Sequence, residues 1–301
     1  MSFKSGFISV VGRPNVGKST LVNKLIGHKI SIVTNKAQTT RNNIRGILTK
    51  KDEYQMVFVD TPGIHTSKKE LDRVMNASAL KAIKDVDLVM FLVPADETIG
   101  VNDKFILSQL EKQDIVKFLI ITKADLVSKA ELFQKTQAWN ELAGNTFAEI
   151  IIISSPQEIN LEVLKNLILK HLPENGHRFY DDEMITDQPN RFAIREIIRE
   201  NILLKAGQEV PHSVAILIDE LEEDATTLSI VATIVVERET QKGIIIGQKG
   251  SKIKDIRYKS RKELKALYGK EIELELFIKV KENWRNSPSL IKQLGYDKNK
   301  Y

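Results

Sequence analysis

Eight residues near the N-terminus constrain this chain more than any other stretch: Gly12-Arg13-Pro14-Asn15-Val16-Gly17-Lys18-Ser19. They fit G-x-x-x-x-G-K-[ST], the spacing of a loop that cradles phosphates. Phe7, Ile8, Val10 and Val11 before it predict a short buried strand, and Leu21, Val22, Leu25 and Ile26 after it recur at helical spacing. The loop therefore sits between a strand and a helix, as the motif requires. The helix N-terminus offers unpaired N–H groups and the positive end of its dipole to an anion. Gly12 and Gly17 let the backbone curl so that those groups face oxygen atoms. Lys18 is expected to reach the β- and γ-phosphates, and Ser19, with Thr20 beside it, to bring a hydroxyl to Mg²⁺.

The 301 residues suggest about two domains. With no cysteine, the chain has no disulfide framework, thiol nucleophile or thiolate metal site. Apolar runs such as 150–153 are far shorter than the ~20 residues of a membrane span. Met1-Ser2-Phe3-Lys4 leads straight into the first strand without room for a signal peptide, so the expected location is cytoplasmic. Net charge is +5, but from Arg238 to Arg285 there are 14 Lys and Arg against 7 Asp and Glu. A basic C-terminal region beside a slightly acidic remainder points to a nucleic acid or an acidic surface as partner.

The polar stretch 30–45 contains Gln38-Thr39-Thr40-Arg41. A Thr there can close over Mg²⁺ and the γ-phosphate and let go after hydrolysis; Thr40 is the choice, Thr39 the fallback. Strand 56–59 then ends in Asp60-Thr61-Pro62-Gly63. A carboxylate at that strand end can orient Mg²⁺, and the Gly63 N–H can meet the γ-phosphate. Strands at 88–93, 118–122 and 149–153 alternate with helices at 101–110, through Trp139 and Leu142, and at 161–171. That pattern predicts an α/β, doubly wound, mostly parallel sheet. Two more strand ends carry Thr122-Lys123-Ala124-Asp125 and Ser154-Ser155. Asp125 offers two acceptors that match guanine N1–H and the 2-amino group, and the Lys123 stem can lie against the base.

These five ordered motifs resemble those of translation-factor-type GTPases over the first 170 or so residues. The resemblance implies a P-loop NTPase fold, GTP and GDP as ligands, and Mg²⁺ held by Ser19, Thr40 and Asp60. Thr122 stands where the family usually has Asn, whose amide links the base to the phosphate loop. Ile64 stands where Ras-like enzymes place a water-orienting Gln, and His65 reads as a loop residue. Asn15 occupies a position at which related GTPases often use K⁺. A catalytic role is thus expected of Lys18 and Thr40, and of Asn15 through K⁺ or through loop stabilisation alone.

A polar linker spans 173–190, after a GTPase domain at 1–172. Phe192, Ile194, Ile197, Ile198, Ile202 and Leu203 mark a helix, with Gly207 as its stop. Two β-branched strands follow at 213–222 and 228–238, then Gly247-Gln248-Lys249-Gly250, a basic helix at 251–268 and a strand at 272–281. This order resembles a smaller α+β type II KH domain, placed at 191–301. In such modules two glycines let a nucleic-acid backbone approach closely. Gln248, Lys249, Lys252, Lys254, Arg257 and Lys259 are the candidate RNA contacts, over an apolar floor at 244–246. Trp284 is expected to pack rather than stack on bases.

A GTPase domain joined to a KH domain, with Lys242 to Gly247, Phe277 to Lys281 and Trp284-Arg285, resembles the Era family of bacterial ribosome-associated GTPases. The resemblance implies a monomer that binds the 3′ region of small-subunit (16S) ribosomal RNA and the small ribosomal subunit. It also implies a role in late subunit assembly and peripheral membrane association. Two other readings stay open: a passive RNA-binding protein with a structural nucleotide, and a membrane or tRNA-modification GTPase.

Overall fold

Apolar runs without alternation become strands covered on both faces. In the computed structural model, which describes residues 3–36, 38–67, 69–206, 210 and 212–296, such runs build the first half. The elements are β1 (Lys4–Gly12), α1 (Lys18–Ile26), β2 (Ile44–Lys50), β3 (Tyr54–Asp60), α2 (Glu70–Lys81) and β4 (Leu88–Pro94). They continue with α3 (Val101–Leu110), β5 (Val116–Thr122), α4 (Lys129–Ala143), β6 (Glu149–Ile152) and α5 (Leu161–His171). The sheet order is β2-β3-β1-β4-β5-β6, parallel except for β2 against β3. Ile8, Met90 and Phe118 face α1 and α5, while Val11, Phe91 and Ile121 face the other way with Trp139 of α4. Ile47 N–H donates to the Ile185 carbonyl, so the segment after α5 crosses the outer strand β2 and shields its open edge.

Sequence periodicity does not predict β2 or α2. Strand β2 follows directly on the polar stretch and carries Arg45, Gly46 and Thr49 among its apolar residues. Helix α2 buries only Leu71, Asp72, Met75, Ser78 and Ala79, a narrow and partly polar stripe.

The second half runs α6 (Asn190–Lys205), β7 (Ala215–Glu223), β8 (Thr227–Val236), α7 (Glu239–Ile246), α8 (Ser251–Tyr268), β9 (Glu271–Val280) and α9 (Pro288–Gln293). Strand β8 pairs antiparallel with β7 and parallel with β9. The parallel pair needs a crossover, and α7 with α8 supplies it. In β9, Ile272 and Leu274 are buried while Glu271, Glu273 and Glu275 are exposed, the alternation of a sheet covered on one face. Gly207, the expected helix stop, lies outside the described residues; α6 ends at Lys205.

A separate apolar cluster joins the halves: Leu71 and Met75 of α2 meet Ala215, Val235, Trp284, Ile291, Leu294 and Tyr296. Trp284 is fully buried, its indole N–H donates to the Ser213 carbonyl at 2.8 Å, and it stacks on Tyr296. It packs. Among the described residues no helix is long and apolar enough to cross a membrane.

Candidate nucleotide site and nucleic-acid interface

Strand order reverses beside β1, so the loop at the C-terminal end of β1 opens into the crevice of the sheet. Lys18 lies inside that loop, and its ammonium donates to the carbonyls of Gly12 (3.1 Å) and Arg13 (2.7 Å). Burial pushes its pKa down to about 8, against the pull of Asp60. The Ser19 hydroxyl donates to Asp60 Oδ2 at 2.7 Å and lies 2.8 Å from the Thr40 hydroxyl. Thr40 in turn donates to Asp60 Oδ2 at 3.4 Å. Asp60 is fully buried, and its Oδ1 has no hydrogen-bond partner among the described residues. Burial raises its carboxyl above the usual range, with Ser19, Lys18 and Thr40 opposing. Two hydroxyls and a buried carboxylate with one unused oxygen suit a hard, oxygen-seeking cation. Ser19, Thr40 and Asp60 would hold Mg²⁺, which when bound supplies charge neutralisation at the β- and γ-phosphates.

Gly63 touches this loop from the other side. A Cβ there would sit 2.6 Å from Pro14 N and 2.7 Å from Pro14 Cα, so only glycine allows the two loops to meet. Asn15 takes a left-handed backbone (φ 62) and donates from Nδ2 to the Asn35 carbonyl at 3.2 Å.

At the far end of the crevice, the Thr122 hydroxyl reaches the Val16 carbonyl at 2.7 Å and the Val93 carbonyl at 3.2 Å. Threonine thus ties the base-side loop to the phosphate loop, as the longer Asn amide would. Ser154 Oγ donates to Asp125 Oδ1 at 2.5 Å, which fixes the carboxylate that faces the base in the guanine reading. Lys123 takes a left-handed backbone (φ 58), and its ammonium lies 3.3 Å from both Asp96 and Glu97.

In the second half, α7 ends at Gly247, and a short 3₁₀ turn leads into α8. Gln248, Lys249, Lys252, Lys254 and Arg257 are exposed. Lys259 sits 3.8 Å from Asp255, which also pairs with Lys205 at 2.7 Å, so its charge is partly spent within the protein.

Residues 7–123 match the family of 50S ribosome-binding GTPases, and residues 209–285 match the KH domain family. The GTPase Era of Lactobacillus helveticus (strain DPC 4571) is 47% identical over 297 residues, 98% of this chain and 97% of that protein. The chain belongs to the Era family of GTPases. A crystal structure of Era in complex with MgGDPNP and nucleotides 1506–1542 of 16S ribosomal RNA superposes with a TM-score of 0.94 at 35% identity. A single-site variant of Aquifex aeolicus Era bound to GDP and AlF4⁻ gives 0.93 at 34%. Each match covers 98% of this chain and 99% of the other.

In this Era-family chain, Pro14, Asn15, Gly17, Lys18, Ser19, Thr20, Thr40, Gly63, Thr122, Lys123 and Ser155 line one cleft of about 260 Å³. Other predicted residues stand behind it. The Arg13 guanidinium turns away from the cleft to the buried Asp103 (2.8 Å) and to Glu97 (3.1 Å). The Thr61 hydroxyl donates to the Val10 carbonyl. Ile64 lies in the apolar core with Val11 and Phe91, so its side chain does not face the cleft; only its N–H, donated to the Gly12 carbonyl, touches the phosphate loop. Gly12, Val16, Pro62, Ala124 and Ser154 build the loops from within. His65 is engaged with the Gly63 carbonyl, Gln38 and Asp72, which agrees with a loop role.

Sequence reasoning missed a second ring of residues. Gln38 donates to Asp72 at 2.7 Å, and its Oε1 meets His212 Nδ1 at 2.9 Å. Arg41 donates to the Val214 carbonyl at 2.7 Å. Glu196, Arg199 and Glu200 of α6 are buried against the same loop. The available signal was that these charges fall among the apolar residues of one amphipathic helix.

Proposed function

We propose that this protein is a GTP-driven switch that binds the 3′ region of 16S ribosomal RNA during small-subunit biogenesis. GTP lies in the cleft, with Lys18 on its β- and γ-phosphates, the Gly63 N–H at the γ-phosphate and Asp125 on guanine. Lys249, Lys252, Lys254 and Arg257 neutralise the RNA backbone at the G-x-x-G turn. The observation that carries this reading is the knot of Ser19, Thr40 and Asp60, because Thr40 comes from a loop that a γ-phosphate can draw in onto the fixed ends of α1 and β3. The solved Era that holds both ligands at once supports the joining of the two activities. The same reading places the protein in the cytoplasm.

The test is fluorescence anisotropy of an RNA copied from the 3′ end of 16S ribosomal RNA. Protein loaded with GDP is compared with protein loaded with a non-hydrolysable GTP analogue, at two salt concentrations. Tighter binding in one state gives the coupling energy. Equal binding in both leaves two independent domains and overturns the switch. Unassisted turnover is expected to be slow, on the order of 10⁻⁴ s⁻¹ as in other small GTPases.

Asn15 carries a further expectation. Its exposed, left-handed position on the phosphate loop suits a K⁺ beside the phosphates, a fixed positive charge in a site where Arg13 is turned away. Turnover in KCl is then expected to exceed that in NaCl at equal ionic strength, and Asn15→Ala is expected to erase the difference. Identical rates in the two salts for the unaltered protein would remove K⁺ from the scheme.

A further inference from the structure

The loop that brings Thr40 to the metal site is held in part by the other half of the chain. At its start, Ile32 is buried in the apolar core of the second half with Ile194, Ile198 and Ile202 of α6. The Val33 N–H donates to Glu200 Oε1 at 3.1 Å. At its end, Arg41 donates to the Val214 carbonyl. Between these points stands Arg199, fully buried on α6. Its guanidinium pairs with Glu196 and donates to the carbonyl of Thr39, the residue directly before Thr40.

A buried guanidinium is costly unless paired, and Glu196 one turn earlier supplies the pair. Arg199 Nη1 nevertheless has no partner among the described residues, so the pair is incompletely satisfied. Such a pair is a poor source of stability. What it does provide is a rigid fork that serves a carboxylate and a carbonyl together, which a lysine cannot match. Fixing the Thr39 carbonyl fixes the peptide that leads into Thr40, and hence the place of the hydroxyl 2.8 Å from Ser19.

We propose that Arg199 is a positioning residue for the metal-binding loop, so that the RNA-binding half of the chain completes the GTPase site. This rests on the reading of Ser19, Thr40 and Asp60 as the Mg²⁺ ligands. Loss of Arg199 frees the Thr39–Thr40 peptide and weakens the hold on Mg²⁺, so that GTP binding needs more of it, while leaving Lys18 and the base loops in place.

The experiment uses the full chain and a fluorescent, non-hydrolysable GTP analogue titrated with Mg²⁺. Arg199→Ala is expected to raise the Mg²⁺ concentration for half-maximal analogue affinity about tenfold, the loss of one charge-assisted hydrogen bond. Affinity without Mg²⁺ stays unchanged, and amide hydrogen exchange over residues 38–43 quickens. Arg199→Lys keeps the charge but not the fork and is expected to fall between the two. Asn286→Ala serves as control, since it removes the Asn286 Oδ1 that accepts from the Glu70 N–H at the same interface and the local bond from Asn286 Nδ2 to Asn283 Oδ1; it leaves the Mg²⁺ requirement alone. An unchanged Mg²⁺ requirement and unchanged exchange in the Arg199 variants overturn the proposal. If Arg199→Ala does not fold, Arg199→Lys decides by the same two readouts. If the unaltered protein binds the analogue equally well with and without Mg²⁺, the metal reading itself fails, whatever the Arg199 variants do.

Discussion

Replacing Lys18 with Ala is expected to cost about 3–5 kcal/mol of GTP affinity, at least 100-fold, because it removes a buried charge-assisted contact to phosphate. The fold should survive. Among the described residues Lys18 donates only to the carbonyls of Gly12 and Arg13 within the loop, and burial works against its charge. The same burial predicts a pH signature. In the nucleotide-free protein Lys18 titrates at about 8, below its ordinary 10.5. Phosphate favours the charged form, so above pH 8 GTP binding must take up a proton, and affinity falls as pH rises. The fall steepens towards tenfold per unit, whereas below pH 8 this group leaves affinity flat. The stability of the nucleotide-free fold moves the opposite way: between pH 8 and 10.5 the unfolded chain holds more protons at this site, so stability rises with pH. Calorimetry at pH 8.5–9 in buffers of different ionisation heat counts the proton taken up. No uptake in the unaltered protein, or unaltered affinity in Lys18→Ala, would remove Lys18 from the phosphate site.

Gly247→Ala is expected to abolish RNA binding while GTP binding stays as it was. Gly247 has φ 71 and ψ 175, a region open in practice only to glycine, and strain there costs on the order of 1–3 kcal/mol. An added Cβ would also meet Lys252 Cγ at 2.7 Å, its Cβ at 2.9 Å and its backbone N at 3.1 Å. The turn must therefore rearrange, carrying Lys249 and Lys252 with it. Gly250 differs. Its φ of 75 and ψ of 14 lie in the ordinary left-handed region, and a Cβ there meets nothing within 4 Å. Gly250→Ala should cost only about 1 kcal/mol of stability. It still fills the space through which an RNA backbone approaches. Thermal melting should thus separate the two glycines, with Tm lowered clearly more by Gly247→Ala, while anisotropy shows both impaired. Retained RNA affinity in Gly247→Ala would show that the G-x-x-G turn is not the binding element.

Lys249→Glu, which distorts nothing, measures the electrostatic part alone. It should weaken RNA binding most at low salt and reduce the salt slope, since each neutralised phosphate contributes to that slope.

Several features were legible because their physics is local. A helix N-terminus after two spaced glycines and a lysine binds phosphate wherever it occurs, and Gly12, Gly17, Lys18 and Ser19 lie within eight residues. The apolar strands of the first half and the E-I-E-L-E-L alternation of β9 state their burial through period alone. Thr122 could be assigned to the base-side loop, although its replacement of the longer Asn amide at the Val16 carbonyl needed coordinates.

Other features depend on which surfaces meet. Helix α2 hides a stripe too narrow and polar to read, and it is buried because α9 and Trp284 cover it from more than 200 residues away. Ile64 stands in sequence where Ras-like enzymes place a water-orienting Gln, yet its side chain completes the core beside Val11 and Phe91. In α6, periodicity marks Ile194, Ile198 and Ile202 as the buried face and leaves Glu196, Arg199 and Glu200 to solvent. The structure buries both faces, the apolar one in the core of the second half and the charged one against Val33 and Thr39 of the first. By itself, then, the sequence determined the phosphate loop, the sheet and the G-x-x-G turn, since each rests on neighbours in the chain. Only the tertiary structure decided that a helix of the RNA-binding half holds the loop carrying Thr40. A buried ion pair and a solvated one have the same sequence, and they differ only in what packs against them.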